Sequence, residues 1–407
     1  MEKKTNSRRT NANSNLIVSI CYIWWIEMKN TIKDEGVLIF FVLVPLLYPL
    51  LYSWIYNNEV VRNVPVVVVD QSHTATSRQF VRMVNASPDV EVAYYCNSLP
   101  EAKTVVEQQN ANGIIYLPKN FEQTLNRGEQ AHISVYCDMN LMLAYKAIYQ
   151  TSLAVALEMG KERQKDMIGN ITVRDEQVNT QPLEVVEEPI FNVTGGYGNA
   201  ILPGVLILIL QQTLLLGIGL SAGTARENNR HQDLVPNSKH HNGIFNIVLG
   251  KSLCYFMIYC VVAAYITLAV PHIFHFTMLA QPTNLIGLLV PYLLSVIFFG
   301  MTLSCLVRHR ENVMLLVVFT SIPFLFLTGV SWPRTNIPAI WEGIAWLIPS
   351  TFGVRGFLSL SSMAGTLDDI RTEVFALWTQ AIVYFFITCM VYRDQIMSAR
   401  KHAIAHV

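Results

Sequence analysis

Six stretches of this chain are long and apolar enough to cross a bilayer, and none of them carries an ionisable side chain. They begin at Gly36, Asn199, Ser252, Leu285, Asn312 and Val374, and each is free of Asp, Glu, Lys, Arg and His. About 20 apolar residues span the hydrocarbon core as a helix. Lipid offers the backbone no hydrogen-bond partners, so such segments must satisfy their own N–H and C=O groups. Only 14% of the residues are charged, against about 25% in soluble domains. The fold expected is an α-helical polytopic membrane protein with six transmembrane helices. Ion-coupled transporters and intramembrane enzymes keep ionisable groups at membrane depth despite a cost of about 2.5–3.5 kcal/mol each. These six stretches hold none, which argues against both classes. A net charge of zero gives no sign of nucleic-acid binding.

Basic residues set the orientation, because short cytosolic loops collect Lys and Arg. One side would hold Lys3 to Lys33, Arg226 to Lys251, Arg308 with Arg310, and Arg393 to Lys401; the short loops opposite hold Arg334, Arg355 and Arg371. Both termini are therefore expected in the cytosol, and nothing at the start reads as a cleaved signal peptide. The expected layout is a tail with an amphipathic interfacial helix over 1–35, a first span over 36–56 and an extracytoplasmic domain over 57–198. A five-helix bundle over 199–393 follows, with a cytosolic loop at 224–251 and an outer re-entrant segment at 331–372; a tail over 394–407 ends the chain.

The excursion between the first two spans alternates strand-like and helix-like runs. "VPVVVVD", "VEVAYY", "NGIIYLP" and "AHISVYCDMN" read as strands, with a helix after each of the first two and a long helix after the fourth. That alternation predicts an inserted α/β domain with a mixed or parallel sheet. Of seven cysteines, Cys96 and Cys137 fall in this domain, where an oxidising compartment would permit a disulfide; two unpaired thiols is the alternative. Asn192-Val193-Thr194 fits a glycosylation acceptor, a pattern short enough to arise by chance.

"NLIVSICYIWWIEMKNTIKDEG" repeats apolar residues at helical spacing, with Trp24 and Trp25 suited to the headgroup level. It reads as a helix along the inner interface or as an extension of the first span. "LGKS" at 249–252 evokes a phosphate-binding loop, but that loop needs a glycine at 245, where Phe245 stands, and a strand before it. His231, His240 and His241 lack carboxylates at ligand spacing, so no metal is expected. Gln211, Gln212 and Thr213 give the second span a polar band, open to substrate contact or to ordinary helix–helix hydrogen bonding.

Four stretches together resemble the membrane subunits of type-2 ATP-binding-cassette exporters. "WWIEMKNTIKDEGVLIFFVLVPLL" is similar to the family's entry, with Glu27, the Lys33–Asp34 pair and Pro45 at matching places. "GLSAGTARENNR", holding Arg226 and Glu227, resembles the end of span two, and "NIVLGKSL", with Gly250 and Lys251, the start of span three. "FLFLTGVSWPRTNIPAIWEGIAWLIPSTFGVRGF" resembles the outer segment, through Gly329, Pro333, Pro338, Pro349 and Arg355-Gly356. The loop "ENNRHQDLVPNSKHHNG" departs from relatives in its Asn and His content.

The resemblance implies a permease subunit in a bacterial cytoplasmic membrane, moving hydrophobic or amphiphilic cargo outward without being an enzyme itself. ATP and Mg would be bound by a separate cytosolic ATPase subunit, and this chain would hold no cofactor. Other implied partners are a second permease copy or paralogue, membrane lipids and a periplasmic adaptor. Pro236 to Lys251 would include a coupling helix docked on the ATPase, so that Glu27, Arg226, Glu227, Gly243, Ile244, Phe245, Gly250 and Lys251 would couple. Lys251 would mark the inner boundary with its amine reaching water. Pro45, Gln211, Gln212, Thr213, Thr328 and Gly329 would line the pathway; Pro333, Pro338, Pro349 and Arg355 would form the outer gate. The rival reading is a membrane-anchored envelope sensor or phage-receptor-like protein that uses the outer domain.

Overall fold

The computed structural model describes residues 2–57, 60–168, 190–192, 196–227, 243–305 and 309–405, with the side chains of 2–16, 168, 197 and 398–405 left out. In chain order the elements are α1 (Glu2–Lys33), α2 (Glu35–Tyr56), β1 (Val64–Asp70), α3 (Ala75–Asn85), β2 (Val90–Tyr95) and α4 (Leu99–Glu107). Then come β3 (Gly113–Leu117), α5 (Phe121–Asn126), β4 (Ser134–Cys137), α6 (Met142–Ile168), α7 (Tyr197–Glu227) and α8 (Gly243–Phe274). The last are α9 (Pro282–Ser304), α10 (Arg310–Leu327), α11 (Ala339–Ala345), α12 (Pro349–Met363) and α13 (Arg371–Ala405). The chain divides into two compact units, 1–59 with 190–407, and Val60–Pro189.

Within the first unit, six helices among the described residues are long and apolar enough to cross a membrane: α2, α7, α8, α9, α10 and the 371–397 part of α13. This matches the six apolar stretches of the sequence. The amphipathic segment is a separate helix and not an extension of the first span. Asp34 breaks the path with an extended backbone (φ −89°, ψ 103°), and its carboxylate accepts the Val37 N–H to cap α2. The apolar core joins α1, α2, α7, α8, α9, α12 and α13 through residues such as Ile23, Phe41, Leu210, Tyr259, Val296, Phe357 and Leu377.

Two spans contain a widened, π-helical turn just ahead of a proline. In α2 it covers Ile39–Leu43 before Pro45, and in α8 it covers Tyr265–Ala269 before Pro271. A proline ring collides with the carbonyl four residues back and supplies no N–H to it. Those carbonyls belong to Phe41 and Thr267, both inside the widened turns, which take up the misfit. The α8 turn is also pinned to α2, since the Tyr265 hydroxyl donates to the Leu46 carbonyl at 3.0 Å.

The second unit lies in sequence between α2 and α7 and holds a four-stranded sheet in the order β2-β1-β3-β4. β1 pairs in parallel with β2 and β3, and β3 pairs antiparallel with β4. Strand alternation sends Val64, Val66 and Val68 to one face with Phe80, Ile115 and Ile148, while Val67 and Val69 face Ala102, Ala111 and Ile114. The four strands coincide with the runs read from sequence; the short α5 was not foreseen.

The disulfide reading of Cys96 and Cys137 is corrected by this sheet. Cys137 belongs to β4 and Cys96 directly follows β2, at opposite edges, and they pack against opposite faces. Three inter-strand steps of about 4.8 Å separate the edges, far beyond the ~7 Å that a disulfide spans. Both thiols are free. Burial pushes the Cys137 thiol up to about 11, and burial together with Glu101 raises that of Cys96. Treatment with a mild oxidant should therefore form no link between them. After unfolding in denaturant both should take up maleimide, as read by intact mass.

Candidate functional site

Polar residues gather where the starts of α2, α8 and α10 meet the ends of α7 and α9. α1 is drawn against α8 because residue 250 has no side chain. A Cβ on Gly250 would stand 2.8 Å from Ile23 Cβ and 3.0 Å from the Ile20 carbonyl. That approach brings Glu27 to Lys251, with Nζ 3.0 Å from Oε2. Both residues are buried: Glu27 is 5% and Lys251 6% exposed. The other Glu27 oxygen accepts from Ser221 Oγ at 3.2 Å and from the Tyr255 hydroxyl. The Tyr392 ring lies 6.0 Å from the ammonium. Burial alone would disfavour ionised Glu27, yet the Lys251 charge and the Tyr255 hydrogen bond outweigh it and hold the carboxyl below its ordinary value.

A second pair sits at the α1–α2 break. Asp34 accepts from Arg310 Nη2 at 2.9 Å and from Thr224 Oγ1 at 2.7 Å. Burial works against its ionisation, but the Thr224 and Arg310 contacts win and lower its pKa. The Glu227 carboxylate accepts the Arg310 backbone N–H at 3.3 Å, and Arg226 Nη2 donates to the Cys305 carbonyl at 2.6 Å. Two ion pairs and their hydrogen bonds thus bind α1, α2, α7, α8, α9 and α10 together. The arrangement holds helices in fixed relation, with the Ser221 and Tyr255 hydroxyls both committed to Glu27.

Several sequence expectations change here. Lys251 does not reach water but ends on Glu27 inside the helix packing. Glu27, Gly243, Gly250 and Lys251 are all buried. Gly243 to Lys251 are the first turns of α8 and not a separate coupling helix. Glu227 and Phe245 are exposed, while Ile244 and Arg226 are half-buried. Pro236, His231, His240, His241 and the rest of 228–242 lie outside the described residues, as do Val193 and Thr194. Asn192 donates to the Gly196 carbonyl at 2.8 Å. Among the described residues no group of three or more His, Cys, Asp or Glu could hold a metal. Sequence reasoning missed Ser221, Thr224, Tyr255 and Arg310 as parts of the network.

The polar band of α7 divides. Gln211 donates to Ser350 Oγ on α12 at 3.1 Å, a helix–helix contact, and Thr213 Oγ1 bonds the Ile209 carbonyl of its own helix at 2.7 Å. The Gln212 amide is enclosed without a partner among the described residues. Pro45 is buried within α2. At the other end of the bundle, Arg355 on α12 donates Nε to the Thr328 carbonyl at 3.2 Å. This ties α12 to the end of α10, where Thr328 is buried and Gly329 turns at φ +88°. Pro333 precedes a short 3₁₀ turn, Pro338 precedes α11 and Pro349 starts α12. Arg334 closes the segment on Glu342 at 2.8 Å. A cavity of about 270 Å³ lies there between Phe326, Leu327, Trp332, Pro338 and Trp341.

A family model described as "ABC-2 family transporter protein" matches residues 36–390. The chain is also similar to the linearmycin resistance permease protein LnrN of Bacillus subtilis (strain 168). They are 21% identical over 361 residues, covering 79% of this chain and 86% of the relative.

Proposed function

The chain belongs to the ABC-2 family of transporter proteins, a multi-pass membrane class, and from that premise we propose that it is the permease subunit of an ATP-driven exporter for hydrophobic or amphiphilic cargo. ABC-2 permeases work with a cytosolic ATPase subunit. The observation that carries the reading is the paired network of Glu27–Lys251 and Asp34–Arg310, which fastens α1 to α8 and the α1–α2 break to α10. A push on α1 or on the 228–242 segment moves those spans with it, and this is how nucleotide-driven closure of the ATPase, which binds ATP and Mg, would reach the bilayer. In this reading the network lies at the cytosolic side, both termini are cytosolic, and the Val60–Pro189 unit is extracytoplasmic.

The relative named for linearmycin resistance supports an outward direction of transport. Apolar walls such as the Phe326–Trp332–Trp341 cavity favour hydrophobic cargo over small ions. Glu227 and Phe245 are the exposed candidates for ATPase contact, and Arg355 with Thr328 and Gly329 would hold the outer gate. α10 leaves Val318, Phe319 and Ile322 bare, which suits lipid or a second permease copy; a periplasmic adaptor would meet the Val60–Pro189 unit.

Purification of the full chain from its own membranes tests the reading. A cytosolic ATPase subunit should accompany it in stoichiometric amount, and the reconstituted complex should hydrolyse ATP faster when amphiphilic drugs or lipids are added. Solute movement by the chain alone on a proton or sodium gradient would overturn the proposal.

A further inference from the structure

The Val60–Pro189 unit contains a cavity of about 430 Å³ at the carboxyl ends of the parallel strands β1 and β2. Crevices at that edge of parallel sheets are where ligands settle in α/β folds, because helix starts and loop backbones converge there. The volume lies within the range of small-molecule sites. Val68 and Val81 give it apolar walls, and Tyr95, 69% exposed, stands at its side.

Its charges are unequally committed. Asp70, the one carboxylate in the lining, is used up by the turn that leads into α3. It accepts the Ser72 N–H at 2.9 Å, the His73 N–H at 3.1 Å and the Ser77 hydroxyl at 2.6 Å. Nearby, Glu101 is engaged by the Asn97 N–H at 3.1 Å. Two arginines face this, one helical turn apart on α3. Among the described residues, the Arg78 guanidinium donates only to the His73 carbonyl at 3.0 Å, and that of Arg82 to none. The α3 N-terminus is not the binder, since Thr74 and Ser77 cap it.

We propose that this cavity binds a small organic phosphate through Arg78 and Arg82. Residues one turn apart hold their Cβ atoms about 5–6 Å apart. A carboxylate is satisfied by a single guanidinium fork, whereas a phosphate ester has enough oxygens to bridge two. Tyr95 and the valine walls take the organic part. The same chemistry is offered by a free phosphomonoester and by a phospholipid headgroup.

Calorimetry on the full-length protein in a neutral detergent decides the matter, with glycerol 3-phosphate and dioctanoyl phosphatidylglycerol as separate probes. One-to-one binding of either is expected, weakened about tenfold or more in Arg82→Gln and in Arg78→Gln. It should be unchanged in Arg62→Gln, whose arginine pairs with Asp89 near the opposite end of β1. Saturation by glycerol 3-phosphate supports a free ligand, and saturation by the lipid alone supports a headgroup. The proposal falls if neither probe saturates, or if Arg62→Gln weakens binding as much as Arg82→Gln.

Discussion

Lys251→Met alone is expected to destabilise the protein by about 3–5 kcal/mol, because it leaves the Glu27 carboxylate buried without its counter-charge. Glu27→Met alone should cost a comparable amount by stranding the ammonium. Combining the two should recover most of the loss, since apolar side chains of similar volume often replace a buried pair at no net cost. Thermal unfolding in detergent measures all three. A double variant as unstable as the sum of the singles would show that the pair does not act as a pair. Its ATP turnover with the partner subunit carries separate information. Restored stability with restored turnover assigns the pair to architecture, and restored stability with depressed turnover assigns it to force transmission.

The pH dependence of that loss has a definite sign. The folded Glu27 carboxyl titrates below its ordinary value of about 4.3. Its contribution is therefore complete above that value and lost only as pH falls through the lower folded-state pKa. The gap in unfolding midpoint between Glu27→Gln and the parent should stay constant from about pH 8 to 5 and narrow only in stronger acid.

Gly217→Ala should be the most damaging single-methyl change in the bundle. The added Cβ would lie 1.9 Å from Phe41 Cε1 and 2.1 Å from Cδ1, distances no rotamer adjustment of a methyl relieves. Phe41 has little room to retreat: it is fully buried in the widened turn of α2, edge-on to Tyr255 (5.6 Å) and Tyr259 (5.5 Å). Overpacking typically costs 1–3 kcal/mol, and about the upper end is expected here. Phe41→Leu alone leaves a void and also destabilises. Together they should be less harmful than their sum by about 1 kcal/mol or more, the mark of residues in contact. Additive losses in thermal unfolding would place the strain elsewhere.

The sequence was legible where a rule depends on one residue and its solvent. Apolar runs located all six spans, and β-branched runs located β1 to β4. It was opaque where the deciding partner is distant in the chain. Lys251 read as a boundary lysine reaching water, because Glu27, in a helix near the start of the chain, could not be seen to lie against it. Arg310 counted only as a positive loop residue until Asp34 and Glu227 were placed around it. Cys96 and Cys137 shared a domain, but only the strand order revealed opposite edges. Pro45 and Pro271 were visible as letters; the widened turns that accommodate them were not.

The buried pair also limits how this protein can evolve. Native stability is commonly about 5–15 kcal/mol, so a lineage that changes position 27 or 251 by itself gives up a large share of it in one step. Drift from an ionic to an apolar seam must cross that trough, or wait for two changes to arrive together. The two sites are thus tied in ancestry as firmly as in space, and a descendant that has lost one partner should be found to have lost both.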